Sequence, residues 1–324
     1  MADILKIENL SVRYRVYEGF LEVINGLSLY VREGERVGLI GETGCGKTTV
    51  LKAAAAVLRT PPAQVKVDGI EVCGLRTDSR AGLKNVRKNV SMIFQDPSSS
   101  LNPTLKISTQ MMDILKSQFP GLKKEEYKKR MLDALAKVSM PAPERVLDSY
   151  PIQLSGGMRQ RVCIAMALMK DTRLIIADEP TTALDVTIEE QILNLLDTLV
   201  TEQKKSLIIV SHALGAIRKI TDYVYVMYAG NIVEYGRTKE VFENPRHPYT
   251  KGLLAATPKL TGDGIADGIA GDIPSYLNPP KGCRFADRCP KATEQCRESA
   301  PVLADDGTGH LAACFGAKEG RKNE

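Results

Sequence analysis

Apolar residues in the first forty positions fall into short runs: Ile4 to Ile7, Leu10 to Val16, Val23 to Val31 and Val37 to Ile40, separated by Gly34 and by charged residues. Runs of this kind with such punctuation predict strands. From Thr48 to Leu58 the chain is rich in Ala, Leu and Val, which predicts a helix stopped by Pro61-Pro62. Lys123 to Val138 predicts a charged amphipathic helix, closed by Pro141 and Pro143, and a further helix is expected at Arg159 to Met169. Leu174 to Ala177 and Leu207 to Val210 are unbroken apolar runs, which suit strands covered on both faces; the helical stretch Thr187 to Glu202 lies between them. This alternation predicts an α/β chain with a parallel sheet under helices and a helical insertion at about 96–157. Gly, Asp and Pro dominate from Gly262 to Pro280, which reads as a linker. The expected division is therefore one domain at 1–255, then a linker and small tail domain at 256–324. No internal repeat is evident.

Composition narrows the picture only a little. The length of 324 residues allows a full core and a second small domain, at roughly 100–200 residues per domain. A formal charge of +5 suits an anionic ligand or a membrane-adjacent surface, and solubility explains it equally well. The basic residues form no stripe and Trp is absent, so nucleic-acid binding gains no support. No basic start followed by a long apolar stretch marks a signal peptide, and no window of about 18 apolar residues suggests a membrane span. A cytosolic location is expected, with any membrane role supplied by a partner. Of seven cysteines, Cys283, Cys289, Cys296 and Cys314 crowd into the tail, which in a reducing compartment points to a metal site before disulfides.

The loop between the first predicted buried strand and helix carries the chemistry. Gly41-Glu42-Thr43-Gly44-Cys45-Gly46-Lys47-Thr48 matches G-x-x-x-x-G-K-[ST] at every fixed position, with Thr49 following. Glycines at these positions let consecutive N–H groups point at phosphate oxygens, and the helix start favours the anion. Lys47 is expected on the β and γ phosphates of ATP and the Thr48 hydroxyl on Mg²⁺. Leu174-Ile175-Ile176-Ala177 delivers Asp178 and Glu179 to a strand's C-terminal end, where parallel sheets bind ligands. Asp178 would hold Mg²⁺ through water, and Glu179 would act as general base on the attacking water. Cys45, at a helix start near Lys47, is expected to have a lowered pKa and to react unless nucleotide covers it; the opposing possibility is that burial raises it.

Leu154-Ser155-Gly156-Gly157-Met158-Arg159-Gln160-Arg161 resembles the signature sequence of the ATP-binding subunits of ABC transporters, and the resemblance covers residues 4 to 255. It implies a P-loop ATPase fold with a mostly parallel sheet, an antiparallel N-terminal β part and a helical subdomain. It further implies that Ser155, Gly156 and Gly157 bind the γ-phosphate of an ATP held by an opposite subunit; they also suit a plain helix N-cap. Gln95 matches the glutamine that reaches Mg²⁺ and senses the γ-phosphate, Ala183-Leu184-Asp185 the loop that signals across the dimer, and His212 the switch histidine. Tyr14 matches the aromatic that stacks on adenine, with Tyr17 as a rival. Where the family usually has Asp after the switch histidine this chain has Ala213, which puts the positioning of His212 in doubt.

In the tail the spacing C-x5-C-x6-C-x17-C is compatible with zinc or an iron–sulfur cluster alike. Lys281, Arg284, Arg288, Lys291 and Arg297 are interleaved and would offset the charge of four thiolates. Asn244 to Thr250 and Gly282 to Pro290 resemble the C-terminal extension of the oligopeptide/dipeptide importer branch, which implies a [4Fe–4S] cluster on these cysteines, with zinc as the alternative. The same resemblance implies a second, related ATPase subunit, two transmembrane permease subunits, an external solute-binding protein, and a peripheral place at the cytoplasmic face of the membrane. Peptides are the implied solute, with nickel or oligosaccharides as alternatives; a soluble ATPase acting on ribosomes or DNA is the rival class.

Overall fold

The computed structural model describes residues 2–58, 63–66, 69–181, 186–256, 268–305 and 307–317. The chain opens with two long strands, β1 (Asp3–Val16) and β2 (Gly19–Arg32), followed by β3 (Arg36–Ile40) and helix α1 (Lys47–Ala54). The first two predicted runs are one strand, carried past the polar break at Glu8-Asn9 by bulges between Ile7 and Val12. Helix α1 ends short of Leu58: Ala56 adopts a left-handed conformation, and the amides of Val57 and Leu58 turn back onto Lys52 O.

Three short strands follow, β4 (Ala63–Lys66), β5 (Gly69–Val72) and β6 (Leu75–Arg76), then α2 (Arg80–Asn89) and β7 (Val90–Ile93). Strand β7 continues directly from α2 with no turn between them, so its four residues, three of them apolar, carried little signal. A helical layer comes next: α3 (Pro97–Ser100), α4 (Ile107–Gln118), α5 (Lys124–Lys137), α6 (Pro143–Asp148) and α7 (Gly156–Leu168). Then β8 (Leu174–Asp178), α8 (Val186–Glu202), β9 (Ser206–Val210), α9 (Leu214–Ile220), β10 (Tyr223–Tyr228), β11 (Asn231–Arg237), α10 (Thr238–Glu243) and α11 (Pro248–Ala255) complete the main body. The tail adds α12 (Glu294–Glu298), β12 (Ala304–Asp305) and β13 (Leu311–Ala312).

The strands form two sheets. One is antiparallel, ordered β2-β1-β5-β6, with β4 also on β1. The other runs β12-β13-β11-β10-β3-β9-β8-β7; the pairs from β10 through β7 are parallel, and β11 to β13 are antiparallel. Strand period divides the core in two. Ile175, Ala177, Leu207 and Ile209 face the helical layer, while Leu174, Ile176, Ile208 and Val210 face the antiparallel sheet. Both faces are buried, which is why these strands read as unbroken apolar runs.

Strands β3, β7, β8 and β9 are mutually parallel, so their following loops emerge at one edge of the sheet. Those loops carry Gly41 to Thr48, Gln95, Glu179 and His212. No helix among the described residues is long and apolar enough to cross a membrane.

Candidate functional site

The loop from β3 to α1 is wrapped around the Lys47 ammonium. Lys47 is buried, and its Nζ donates to Gly41 O at 2.8 Å and to Glu42 O at 3.0 Å. Its third contact is the weak acceptor Cys45 Sγ at 3.8 Å, which a phosphate oxygen outcompetes. Glycine is required twice over at the loop's ends. Gly41 has φ +154° and a Cβ there would lie 2.1 Å from Met227 O; Gly46 has φ +106° and its Cβ would meet Ile24 Cδ1 at 2.6 Å. Thr48 and Thr49 sit half-buried on the first turn of α1.

Across the parallel edge, Asp178 ends β8 buried, and its Oδ1 accepts from the Thr48 hydroxyl at 3.1 Å. Burial raises its pKa; the Thr48 hydrogen bond opposes this, and the charge of Glu179 adds to it. A cation here would relieve that cost. The Thr48 hydroxyl and the buried Asp178 carboxylate are hard oxygen donors side by side, so the pair fits Mg²⁺, with Thr48 on the ion and Asp178 reaching it through water. Glu179 has φ +46°, an outlier for a non-glycine residue. Its carboxylate is held on both oxygens: Gln95 Nε2 donates to Oε2 at 2.7 Å, and His212 Nε2 lies 2.8 Å from Oε1. The structure thus brings Gln95, Glu179 and His212 into one chain of contacts. Ala213 puts no acid next to the histidine in sequence; its amide donates to the Ser211 hydroxyl at 3.0 Å just before α9.

Ser155 caps α7, its hydroxyl accepting from Met158 N at 3.3 Å. Ser155 is exposed, Gly157 is half-buried, and a Cβ on Gly156 would meet nothing within 4 Å, so the helix start faces open space. Tyr14 lies in β1, half-buried against the core beneath the antiparallel sheet, whereas Tyr17 is fully exposed at the β1–β2 turn. Asp185 and its neighbours Ala183 and Leu184 lie outside the described residues.

Residues 24–182 match the family model described as ABC transporter, and residues 233–296 match the oligopeptide/dipeptide transporter C-terminal region. The chain is 42% identical over 305 residues to the oligopeptide transport ATP-binding protein OppD of Bacillus subtilis, covering 93% of this chain and 85% of the relative. The chain belongs to the ATP-binding proteins of ABC transporters. The dipeptide transport ATP-binding protein DppD of the same organism is 39% identical over 323 residues, covering 97% of this chain and 95% of its own length. Among solved structures, the dimeric cassette MJ0796 in a post-hydrolysis state with ADP and Pi superposes with a TM-score of 0.64 at 27% identity, covering 72% of this chain and 98% of that one. This ABC ATPase hydrolyses ATP as the energising subunit of an importer.

Three expectations about the ABC ATPase need correction. Cys45 is fully buried, and burial raises its pKa against the lowering influence of Lys47, so the thiol is neither accessible nor activated. Of the tail's basic residues, Lys291 lies close enough to Cys289 to pull its pKa down against burial, but the three arginines are engaged elsewhere and are not counter-charges for the thiols. Arg288 forms a bidentate pair with Glu42 of the phosphate loop at 2.8 and 3.1 Å, Arg284 donates to Ala229 O and Glu22 O, and Arg297 pairs with Asp287. The four tail cysteines are near enough to influence one another electrostatically, and burial pushes Cys283 up to about 11. Yet no group of three or more His, Cys, Asp or Glu among the described residues is arranged to hold a metal ion. The [4Fe–4S] cluster and its zinc alternative gain no support from this arrangement.

Three residues outside the phosphate-loop motif hold the loop, a role no motif assigned to them. Tyr249 accepts from Glu42 N at 2.8 Å, Tyr276 donates to Gly44 O at 2.9 Å, and Arg288 holds Glu42. Tyr276 stands in the Gly-, Asp- and Pro-rich stretch expected to be a linker, of which 268–280 is described; there Ile269, Ile273 and Tyr276 pack on the main core.

Proposed function

We propose that this ATPase drives uptake of di- or oligopeptides as a peripheral subunit at the cytoplasmic face of the membrane, working with two permease subunits, an external binding protein and a second, related ATPase. The contact chain Gln95–Glu179–His212 beside Thr48 and Asp178 is the observation that carries the hydrolytic part of this reading. Lys47 binds the β and γ phosphates, and the amides after Gly44 cradle them. Thr48 and Asp178 would hold Mg²⁺, which neutralises phosphate charge when bound. Glu179 acts as general base: the attacking water replaces Gln95 at Oε2 and gives that oxygen its proton, while His212 on Oε1 fixes the carboxylate. Gln95 is released by this exchange. Ser155, Gly156 and Gly157, at the start of α7, complete the partner subunit's ATP site, and Asp185 signals between the two. Tyr14 stacks on the adenine.

The permease reading rests on a groove of about 600 Å³ between β7 and the helical layer, lined by Phe94, Leu101, Ile114 and Met166 among others. Phe94 adjoins Gln95, so movement of the Gln95 loop would be felt by a helix seated there. The peptide reading rests on the two oligopeptide/dipeptide relatives and on the match of the C-terminal region. Reconstitution of the full transporter tests both parts. ATP turnover should rise when the binding protein is loaded with short peptides, and Glu179→Gln should lose more than tenfold in turnover while still binding Mg-ATP. Near-normal turnover in the variant would move the base elsewhere. Stimulation by nickel or an oligosaccharide in place of peptide would replace the solute.

A further inference from the structure

We propose that the C-terminal tail sets the ATP affinity of its own chain's phosphate loop, with Arg288 and Tyr276 as positioning residues acting through Glu42 and Gly44. The proposal rests on Gly41 to Thr48 being the ATP site.

A phosphate loop binds anions only when its backbone is held in one curl, because the N–H groups must converge before the ligand arrives. Here the curl is held from within by Lys47, through Gly41 O and Glu42 O. Side chains and amides from other parts of the chain hold it as well. Tyr249 takes the Glu42 amide, and the Gly230 amide takes Cys45 O at 2.9 Å. The tail supplies the remaining two ties. Arg288 grips both oxygens of the Glu42 carboxylate, and Tyr276 donates its hydroxyl to Gly44 O.

These ties are built, not incidental. The Arg288 side chain is only 5% exposed, donates also to Ile269 O and Ala270 O, and lies against the Tyr228 ring. The Glu42 hydrogen bonds raise its pKa further, so its charge is permanent. Tyr276 is anchored in turn: its carbonyl accepts from Glu22 N at 2.7 Å, and the neighbouring Leu277 lies 3.6 Å from where a Cβ on Gly19 would stand. The segment therefore runs beside the β1–β2 turn and ends on the loop at Gly44. Both ties hold the loop in the conformation in which Lys47 already bridges its carbonyls, so they preorganise it for phosphate, and cutting them weakens binding.

The test uses the full-length chain and the non-hydrolysed analogue Mg-AMP-PNP, followed by titration calorimetry, with ATP turnover of the assembled transporter alongside. Arg288→Ala should raise Kd about tenfold and Tyr276→Phe about threefold; KM for ATP should rise in step while kcat changes less than twofold. Glu42→Gln should reproduce Arg288→Ala, and the double variant should be no worse than the weaker-binding single, since both cut the same tie. Arg288→Lys, which keeps the charge but not the fork, should fall between wild type and Arg288→Ala. Lys47→Ala separates the two readings: if it leaves Kd unchanged, the loop is not the ATP site and the parent reading fails. If Lys47→Ala abolishes binding while Tyr276→Phe and Arg288→Ala bind within twofold of wild type, the tail's contacts are structural only and the proposal is overturned. Should Arg288→Ala fold poorly, Tyr276→Phe decides alone, because it removes one hydroxyl and leaves the packing in place.

Discussion

Glu234 and His247 show how one or two side chains couple the tail to acid. Glu234 is fully buried on β11; it accepts from the amides of Arg246 and His247, and His310 Nε2 from the tail lies 2.7 Å from it. Burial would raise its pKa, but these hydrogen bonds prevail and hold it below the usual carboxylate value. His247 caps α11 by accepting from Tyr249 N through Nδ1, and burial lowers its pKa to about 4. Between about pH 6.5 and 4 the unfolded chain carries a proton on His247 that the folded chain refuses. Stability is therefore full above pH 6.5 and falls as pH drops through that window, by on the order of 2 kcal/mol between pH 7 and 5. Glu234, with its folded value lowered, gives up its contribution only below its unfolded value, at about pH 4.5 and downward. Thermal melting at pH 7 and pH 5 checks this: His247→Asn keeps a cap acceptor and should lose markedly less than wild type on acidification. Parallel losses in the two proteins would mean that other groups carry the acid sensitivity. Sequence alone exposed neither residue as titratable in this way, because burial and a partner 76 positions distant decide it. The same holds for Arg288 and Tyr276, whose loop partners lie 246 and 232 positions away. Lys47, Thr48, Asp178 and Glu179, by contrast, were legible because each sits inside a contiguous motif.

Elements were legible where one face or both faces of a regular pattern are buried. Strands β8 and β9 alternate between two cores and so appear as solid apolar runs, and α5 shows its single stripe between charges. Strand β7 and the tail strands β12 and β13 are too short to carry a period, and only pairing with β8 and β11 makes them strands. Helix α7 combines two jobs at one terminus. Ser155 caps it, and the N–H groups of its first turn suit an anion. Ser155→Asp separates them. Aspartate caps a helix as well as serine does and favours the positive end of its dipole, so melting should stay within about 1 kcal/mol of wild type. Its charge would face a phosphate in the partner's site, so ATP turnover of the assembled transporter should fall more than tenfold. A stable variant with normal turnover would leave α7 with the cap alone.

At the scale of the whole molecule, sheet order explains why residues far apart in sequence share one edge, and it also explains the tail's reach. Strand β11 turns antiparallel after the parallel set, and β13 and β12 extend the same sheet beyond it. Before those strands the tail passes the end of β10, where Arg288 reaches the Tyr228 hydroxyl beside the phosphate loop. Phe285 enters there: it is 2% exposed, meets the Tyr228 ring edge-on with centroids 5.1 Å apart, and meets Tyr249 at 5.5 Å. Tyr228 and Tyr249 are themselves 4.6 Å apart, so a tail residue completes an aromatic cluster of the main core. None of this was legible as a periodic pattern, since Phe285 is the one large apolar residue of a short stretch and its partners come from β10 and α11. If the tail is part of the folding unit, Phe285→Ala should destabilise the whole chain by about 3–5 kcal/mol, the usual result of emptying a buried aromatic site. Denaturant unfolding followed both by far-ultraviolet circular dichroism and by tyrosine fluorescence measures it. Coincident transitions shifted to lower denaturant are expected, because opening the Tyr228–Tyr249 cluster exposes the interior beneath β10. A shift worth under 1 kcal/mol, or a tail transition separate from that of the sheet, would show that the aromatic contact is a surface attachment and that the tail's ties to the phosphate loop can come and go without unfolding.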